Sequence, residues 1–270
     1  MVRTIGFIGT GTMGSAVAAA AAKSAQDALF LLANRTVQKA EALKSSLPNA
    51  EVAANAEIAR RAEWIFLCVK PQMMDAMLNE IAPILRERTD RFVLISMAAG
   101  LTIETLRAMA GGGYPVIRMM PNTPVAVGAG VITYCSSGVT DAETDAFEDL
   151  LRGAGLIDPL PEYLIDAASA VAGGGPAFVD LFLEALADGG TACGLPRKKA
   201  LLYAAKMTEG AARMAAESGE HPAALKDAVC SPGGSTIQGV RALEKGGLRS
   251  AVIEALIAAY EKNGQLGRQE

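Results

Sequence analysis

Histidine occurs once in the 270 residues, as His221, which argues against a His-ligated metal site or a Ser-His-Asp triad. Next to Pro222 it reads as the start of a helix, with a capping or packing part. The four cysteines, Cys68, Cys135, Cys193 and Cys230, form no C-x-x-C pair, so neither a disulfide framework nor a structural zinc site is expected. No metal is expected at all. No uncharged apolar stretch approaches the ~20 residues that span a bilayer. The alanine run Ala16–Ala22 is preceded by Arg3 alone, which makes no signal-peptide n-region. The expectation is a soluble, cytoplasmic protein with no membrane partner. A net charge of −4 disfavours nucleic acid as a partner, so any phosphate must meet local positive charge.

Glycine is present in quantity, 28 of 270 residues, and three glycines stand at an informative spacing. Ile5, Phe7 and Ile8 form an apolar run that reads as a buried parallel strand. Gly9-Thr-Gly-Thr-Met-Gly14 follows, and Ser15–Ala22 continues as a helix would. Gly9 permits the tight turn, Gly11 the close approach of a pyrophosphate, and Gly14 the packing of helix on strand. The phosphates then meet the unpaired N–H groups of the helix start, which include Thr12 and Met13.

The second strand, Leu29–Ala33, ends at Asn34-Arg35-Thr36, twenty residues past Gly14. An NAD-binding fold places an acid there on the ribose 2′-hydroxyl. This chain offers donors instead, and an arginine suits a 2′-phosphate. A charge-assisted hydrogen bond contributes roughly 1.5–3 kcal/mol, enough to select NADP over NAD. A helix is expected over 37–46, a short strand at 51–53, and Asn55 at a helix N-cap.

Trp64–Val69 is an unbroken apolar run, the pattern of a central strand, ending at Lys70-Pro71 with Pro71 suited to a first helical turn. Further strands are expected at 91–96, ending at Met97-Ala98-Ala-Gly100, and at 115–120. The ends of these parallel strands line one rim, where open α/β sheets bind ligands. Lys70 fits both a surface lysine and a rim contact. Met13, Met119 and Met120 read as core fillers.

Near Asp158-Pro-Leu-Pro161 the strand-like runs stop and the chain turns alanine-rich and helical. Helices are expected from Pro176, over 196–216, over 222–229 and over 248–260. Their small and apolar residues at helical spacing suit packing on other helices, including those of a second subunit. Within this half, Ser231-Pro-Gly233-Gly234-Ser235-Thr236 precedes the helical pattern Ile237, Val240, Leu243. Such a turn binds anions through bare N–H groups; it also makes an ordinary helix cap. Spacing alone leaves both open.

Over essentially its whole length the chain resembles the Δ1-pyrroline-5-carboxylate reductase family. The resemblance lies in Gly9–Gly14, Asn34–Thr36, Val69-Lys70-Pro71, Arg118-Met-Met-Pro-Asn-Thr-Pro124, Gly173–Ala177, Gly219–Pro222, Leu225–Asp227, Ser231–Thr236, Arg241–Glu244 and Gly246–Ser250. The glycine fingerprint is shared by many dehydrogenases; Ser-Pro-Gly-Gly-Ser-Thr is more specific. The resemblance implies an α/β protein with a Rossmann-type NADP-binding domain (1–158) and an all-α dimerisation and substrate domain (159–270). It implies NADPH-dependent reduction of a cyclic imine to L-proline in a homo-oligomer that is at least an interlocked dimer. Cofactor contacts would come from Gly9, Gly11, Thr12, Met13, Gly14, Asn34, Arg35, Thr36, Asn55, Val69, Lys70, Pro71, Ala98 and Gly100. Ser231, Gly233, Gly234, Ser235 and Thr236 would hold the substrate, with Thr236 beside the imine nitrogen. The chain departs from the family at Ala172-Gly-Gly-Gly-Pro-Ala-Phe178, where Ser-Gly-Ser-Gly-Pro-Ala-Tyr is usual. A β-hydroxyacid-type dehydrogenase would carry a lysine motif after Gly173 that is not found, and an inactive NADP sensor is the other alternative.

Overall fold

The computed structural model describes residues 4–266. Strands β1 (Thr4–Ile8), β2 (Leu29–Ala33), β3 (Ala50–Val52), β4 (Trp64–Leu67), β5 (Val93–Ser96), β6 (Val116–Pro121), β7 (Gly130–Ser137) and β8 (Gly155–Pro159) form one sheet. Its order is β3-β2-β1-β4-β5-β6-β7-β8. The first six strands run parallel, β7 lies antiparallel to β6, and β8 runs parallel to β7. Parallel neighbours need a crossover, supplied by α1 (Thr12–Ser24), α2 (Val37–Lys44), α3 (Asn55–Arg61), α4 (Pro71–Glu87) and α5 (Ile103–Ala110). α6 (Asp141–Leu151) links β7 to β8.

Helices cover both faces, so the central strands are apolar without alternation. On one face Phe7 and Phe66 stack with centroids 4.4 Å apart, among Val17, Ile95 and Phe147. On the other, Ile8, Ile65 and Leu94 pack on Met74, Leu78 and Leu106. Burying one such side chain contributes about 1.5–3 kcal/mol.

The expected strands occur, β2 with the bounds expected and β3 and β6 displaced by one residue. Those at 64–69 and 91–96 are shorter because the chain turns off the sheet at Cys68 and enters it at Val93. β7 and β8 were not anticipated. Asn55 is not the N-cap of α3: Ala54 is, and Asn55 is the first helical residue, its Nδ2 donating to Glu80 Oε2 at 2.9 Å. The hydrogen bond across to α4 takes the side chain away from its own backbone.

The expected boundary at 158/159 precedes the division into compact units, which falls between Gly174 and Gly175, with the chain rejoining the sheet unit from Ala259. The change in composition marks the last strand, but α7 (Ile165–Ala172) still belongs to the sheet unit. Ile165 and Ala170 are buried. Arg118, 1% exposed in mid-β6, donates to Asp166 Oδ1 and lies 3.5 Å from Glu162. Asn122 donates to the Ala172 carbonyl and accepts from the Val131 N–H.

The second unit contains α8 (Gly175–Ala192), α9 (Arg197–Ser218), α10 (Pro222–Val229), α11 (Ser235–Lys245) and the first part of α12 (Leu248–Leu266). α8 and α9 pack closely because Gly190 has no side chain: a Cβ there would sit 3.1 Å from Ala200 Cβ. The buried hydrophobics of this unit are Ala187, Ala200 and Ala204. Leu181, Leu202, Met207, Met214 and Ile253 remain exposed. The helical stretch Glu162–Ala192 is long and apolar enough to cross a membrane by length and composition alone.

Candidate active site

The tight turn after β1 obeys the expected division of labour among its glycines. Gly9 has φ +105°, and a Cβ there would meet the Cys68 carbonyl at 2.8 Å. At Gly14 a Cβ would stand 2.2 Å from the Gly9 oxygen and 3.0 Å from Cys68 Cβ, so only glycine lets α1 lie against the strand ends. Gly11 differs, because nothing lies within 4 Å of its Cβ position. Here glycine keeps open space beside the start of α1, and Gly11, the N-cap, provides no side-chain cap. The N–H groups of the first turn, at Thr12, Met13 and Gly14, therefore have no side-chain cap and stand beside open space at Gly11. Thr10 Oγ1, buried in the same turn, has no hydrogen-bond partner.

At the end of β2, Asn34 is held at both ends of its amide. Oδ1 accepts the Thr10 N–H at 3.1 Å and Nδ2 donates to the Thr36 carbonyl at 3.0 Å. Arg35 is exposed and has no ion pair among the described residues. Thr36 is the N-cap of α2, with no hydrogen bond from its side chain to the helix. A cation, a hydroxyl and a helix start thus meet beyond β2, a donor set that fits a phosphate monoester.

Val69, Lys70 and Pro71 follow β4, with Lys70 the N-cap of α4 and Pro71 its first residue. Lys70 is exposed and also has no ion pair among the described residues. Ala98, 2% exposed, and Gly100, φ +77°, turn the chain from β5 towards α5. Thr102 caps α5 through Thr105 N–H, and Glu162 accepts the Ile103 N–H at 2.7 Å, bracing this turn from behind. The turns after β1, β2, β4 and β5 thus share one edge of the parallel sheet, where the order reverses beside β1. Asn55 lies past β3, with its amide on Glu80.

Burial disfavours the thiolate of the cysteines beside these elements. Burial pushes the Cys68 thiol far up, and burial, with Glu162 adding and Arg118 opposing, raises Cys135 to about 11. A cavity of about 820 Å³ runs beside α5 and β7, lined by Ile103, Arg107, Cys135, Ser137, Thr144 and Glu162. Among the described residues no cluster of His, Cys, Asp and Glu could hold a metal.

In the helical unit, Gly233 has φ +70° and the Gly234 N–H donates to the Ser231 carbonyl at 3.0 Å. A Cβ on Gly234 would collide with Ser231 Oγ. Gly234 is the N-cap of α11, Ser235 and Thr236 are its first two residues, and no side chain caps the helix. The alternative of an ordinary Ser/Thr cap is therefore not what forms. Ser231, Gly233, Ser235 and Thr236 are exposed. His221 does cap: its Nδ1 accepts the Ala223 N–H at 3.1 Å at the head of α10.

Strand order, the glycine turn and the open helix start define a Rossmann-type dinucleotide-binding protein whose chain continues into a helical unit. A family model described as pyrroline-5-carboxylate reductase dimerisation matches residues 162–266, and one described as NADP oxidoreductase, coenzyme F420-dependent, matches residues 4–100. The chain is 38% identical to the pyrroline-5-carboxylate reductase of Escherichia coli (strain K12), over 99% of this chain and 100% of that one. The structure of a pyrroline-5-carboxylate reductase from Coxiella burnetii matches with TM-score 0.88 at 30% identity, covering 100% of both chains. That of Plasmodium falciparum pyrroline carboxylate reductase with NADP bound matches with TM-score 0.85 at 33% identity, covering 98% of each. The chain belongs to the pyrroline-5-carboxylate reductase family.

Proposed function

We propose that this chain reduces the ring imine of 1-pyrroline-5-carboxylate to give L-proline, the last step of proline biosynthesis, with NADP(H) as cofactor. Full-length kinship with reductases of that name carries this reading. NADPH, when bound, supplies the hydride. The first turn of α1 holds the pyrophosphate, Arg35 and Thr36 the 2′-phosphate, and the turns at Val69–Pro71 and Ala98–Gly100, with Asn55, border the rest of the nucleotide.

The uncapped start of α11 holds the substrate carboxylate. Ser231, Gly233, Gly234 and Ser235 shape the turn so that backbone N–H groups point outward, and Thr236 hydrogen-bonds the imine nitrogen. A protonated imine already accepts hydride, so positioning can supply much of the acceleration. This fits a chain with a single histidine. A threonine hydroxyl is a poor acid, and Thr236 orients the ring or relays a proton from water.

The helical unit completes itself against a second copy. Its exposed Leu202, Met207 and Met214 support an interlocked homodimer, a protein that works in the cytoplasm. Purified protein mixed with 1-pyrroline-5-carboxylate should oxidise NADPH, read at 340 nm, with proline as product. Tight NADPH binding without turnover would make it a sensor, and turnover only on a hydroxy acid would make it a dehydrogenase.

A further inference from the structure

We propose that Asn34 is a positioning residue that fixes the spacing of two phosphate-facing turns, and not a direct ligand of the 2′-phosphate. The inference rests on the cofactor reading above. β1 and β2 are parallel neighbours, with Ile8 opposite Ala33, and the Gly9 N–H donates to the Ala33 carbonyl at 2.8 Å. One step beyond that last rung, each chain leaves the sheet for its own turn and the backbone ladder ends. Asn34 continues the link by side chain: Oδ1 holds Thr10 N–H in the first turn, and Nδ2 holds the Thr36 carbonyl in the second. The two bonds run in opposite senses, one accepted and one donated.

The choice of residue follows from that geometry. An aspartate would still accept from Thr10 but would set a carboxylate oxygen against the Thr36 carbonyl. A serine is too short to span both. The amide therefore orders the turn around Gly11 and the segment carrying Arg35 as one piece before any nucleotide arrives, which lowers the ordering cost of binding. A clamp of this kind acts on every dinucleotide, whereas Arg35 acts only on one that carries a 2′-phosphate.

Binding of NADPH and of NADH to the substrate-free protein, followed by nucleotide fluorescence, separates the two roles. Asn34→Ala should weaken both by a similar factor, about tenfold, and leave their ratio unchanged. Loss for NADPH alone would make Asn34 a phosphate ligand through its second amide hydrogen, and loss for neither would remove the clamp. Either result overturns the proposal. Arg35→Ala, run alongside, should weaken NADPH alone; an unchanged ratio there would instead overturn the 2′-phosphate assignment and leave the clamp standing. If Asn34→Ala does not fold, hydrogen exchange on the unaltered, nucleotide-free protein decides. Thr10 N–H should be protected, and exchange at the rate of an open loop would refute the clamp.

Discussion

At Gly9–Gly14 the chain packs its own turn closely: Gly9 is pressed on Cys68, Gly14 on Gly9, and Asn34 ties the turn to the next strand, while the space beside Gly11 is open. At Ser231–Thr236 the turn also leads into an uncapped helix, yet nothing lies within 4 Å of a Cβ at Gly233, and four of the six residues around it are hydroxyl-bearing or proline. α11 has no buried residue. The first turn is packed by its own unit; on the function proposed above, the second would be completed by a second copy. Packing thus requires glycine at Gly14, whereas only the backbone dihedral requires it at Gly233.

The sharpest test of that contrast is steric. Gly14→Val forces a side chain into the Gly9 carbonyl and should destabilise the sheet unit by about 3 kcal/mol, read by urea denaturation. Gly233→Ala meets no neighbour and carries only the strain of a positive φ, about 1 kcal/mol. Equal losses at the two positions would break the comparison. Thr236→Ala comes next: kcat should fall about a hundredfold at unchanged melting temperature, and near-normal turnover would remove Thr236 from the chemistry.

The smallest effect marks the sheet unit alone. Arg91 donates from two nitrogens to Glu143, whose carboxylate also accepts from Thr140 in a capping box. The Arg91 guanidinium holds Glu143 down at about 2. A depressed carboxylate stabilises the folded state above its unfolded value of about 4.3. That stability is lost as pH falls from there towards about 2. Arg91 is half in water, so Arg91→Ala should remove about 1 kcal/mol at neutral pH and flatten the acid limb of the denaturation profile.

The parallel strands and the fingerprint were legible because buried parallel strands are continuous apolar runs and glycine spacing is fixed by contact with a phosphate. β7 and β8 were not. β7 reads Gly-Val-Ile-Thr-Tyr-Cys-Ser-Ser and β8 carries an aspartate and a proline in five residues. Near the sheet margin, pairing tolerates polar residues that a central strand excludes. Asn55 illustrates a different limit: N-cap preference is local, whereas Glu80, its actual partner, is 25 residues away. Asn34 was legible as polar beside a phosphate site, but its engagement at both ends is a matter of tertiary geometry. The exposed apolar side chains of α8 and α9 were legible as helix-packing surface, with their partner left open.

Arg118 bears on how this chain can be cut. Its guanidinium is sealed within β6, and the carboxylates that neutralise it, Glu162 and Asp166, come after the last strand. A fragment ending at Asp158 would keep every strand nearly whole yet bury a cation with no counter-charge, a defect of several kcal/mol. A fragment carried on to Gly174 retains both carboxylates. The sheet unit is therefore closed electrostatically some way past the point where it is closed topologically.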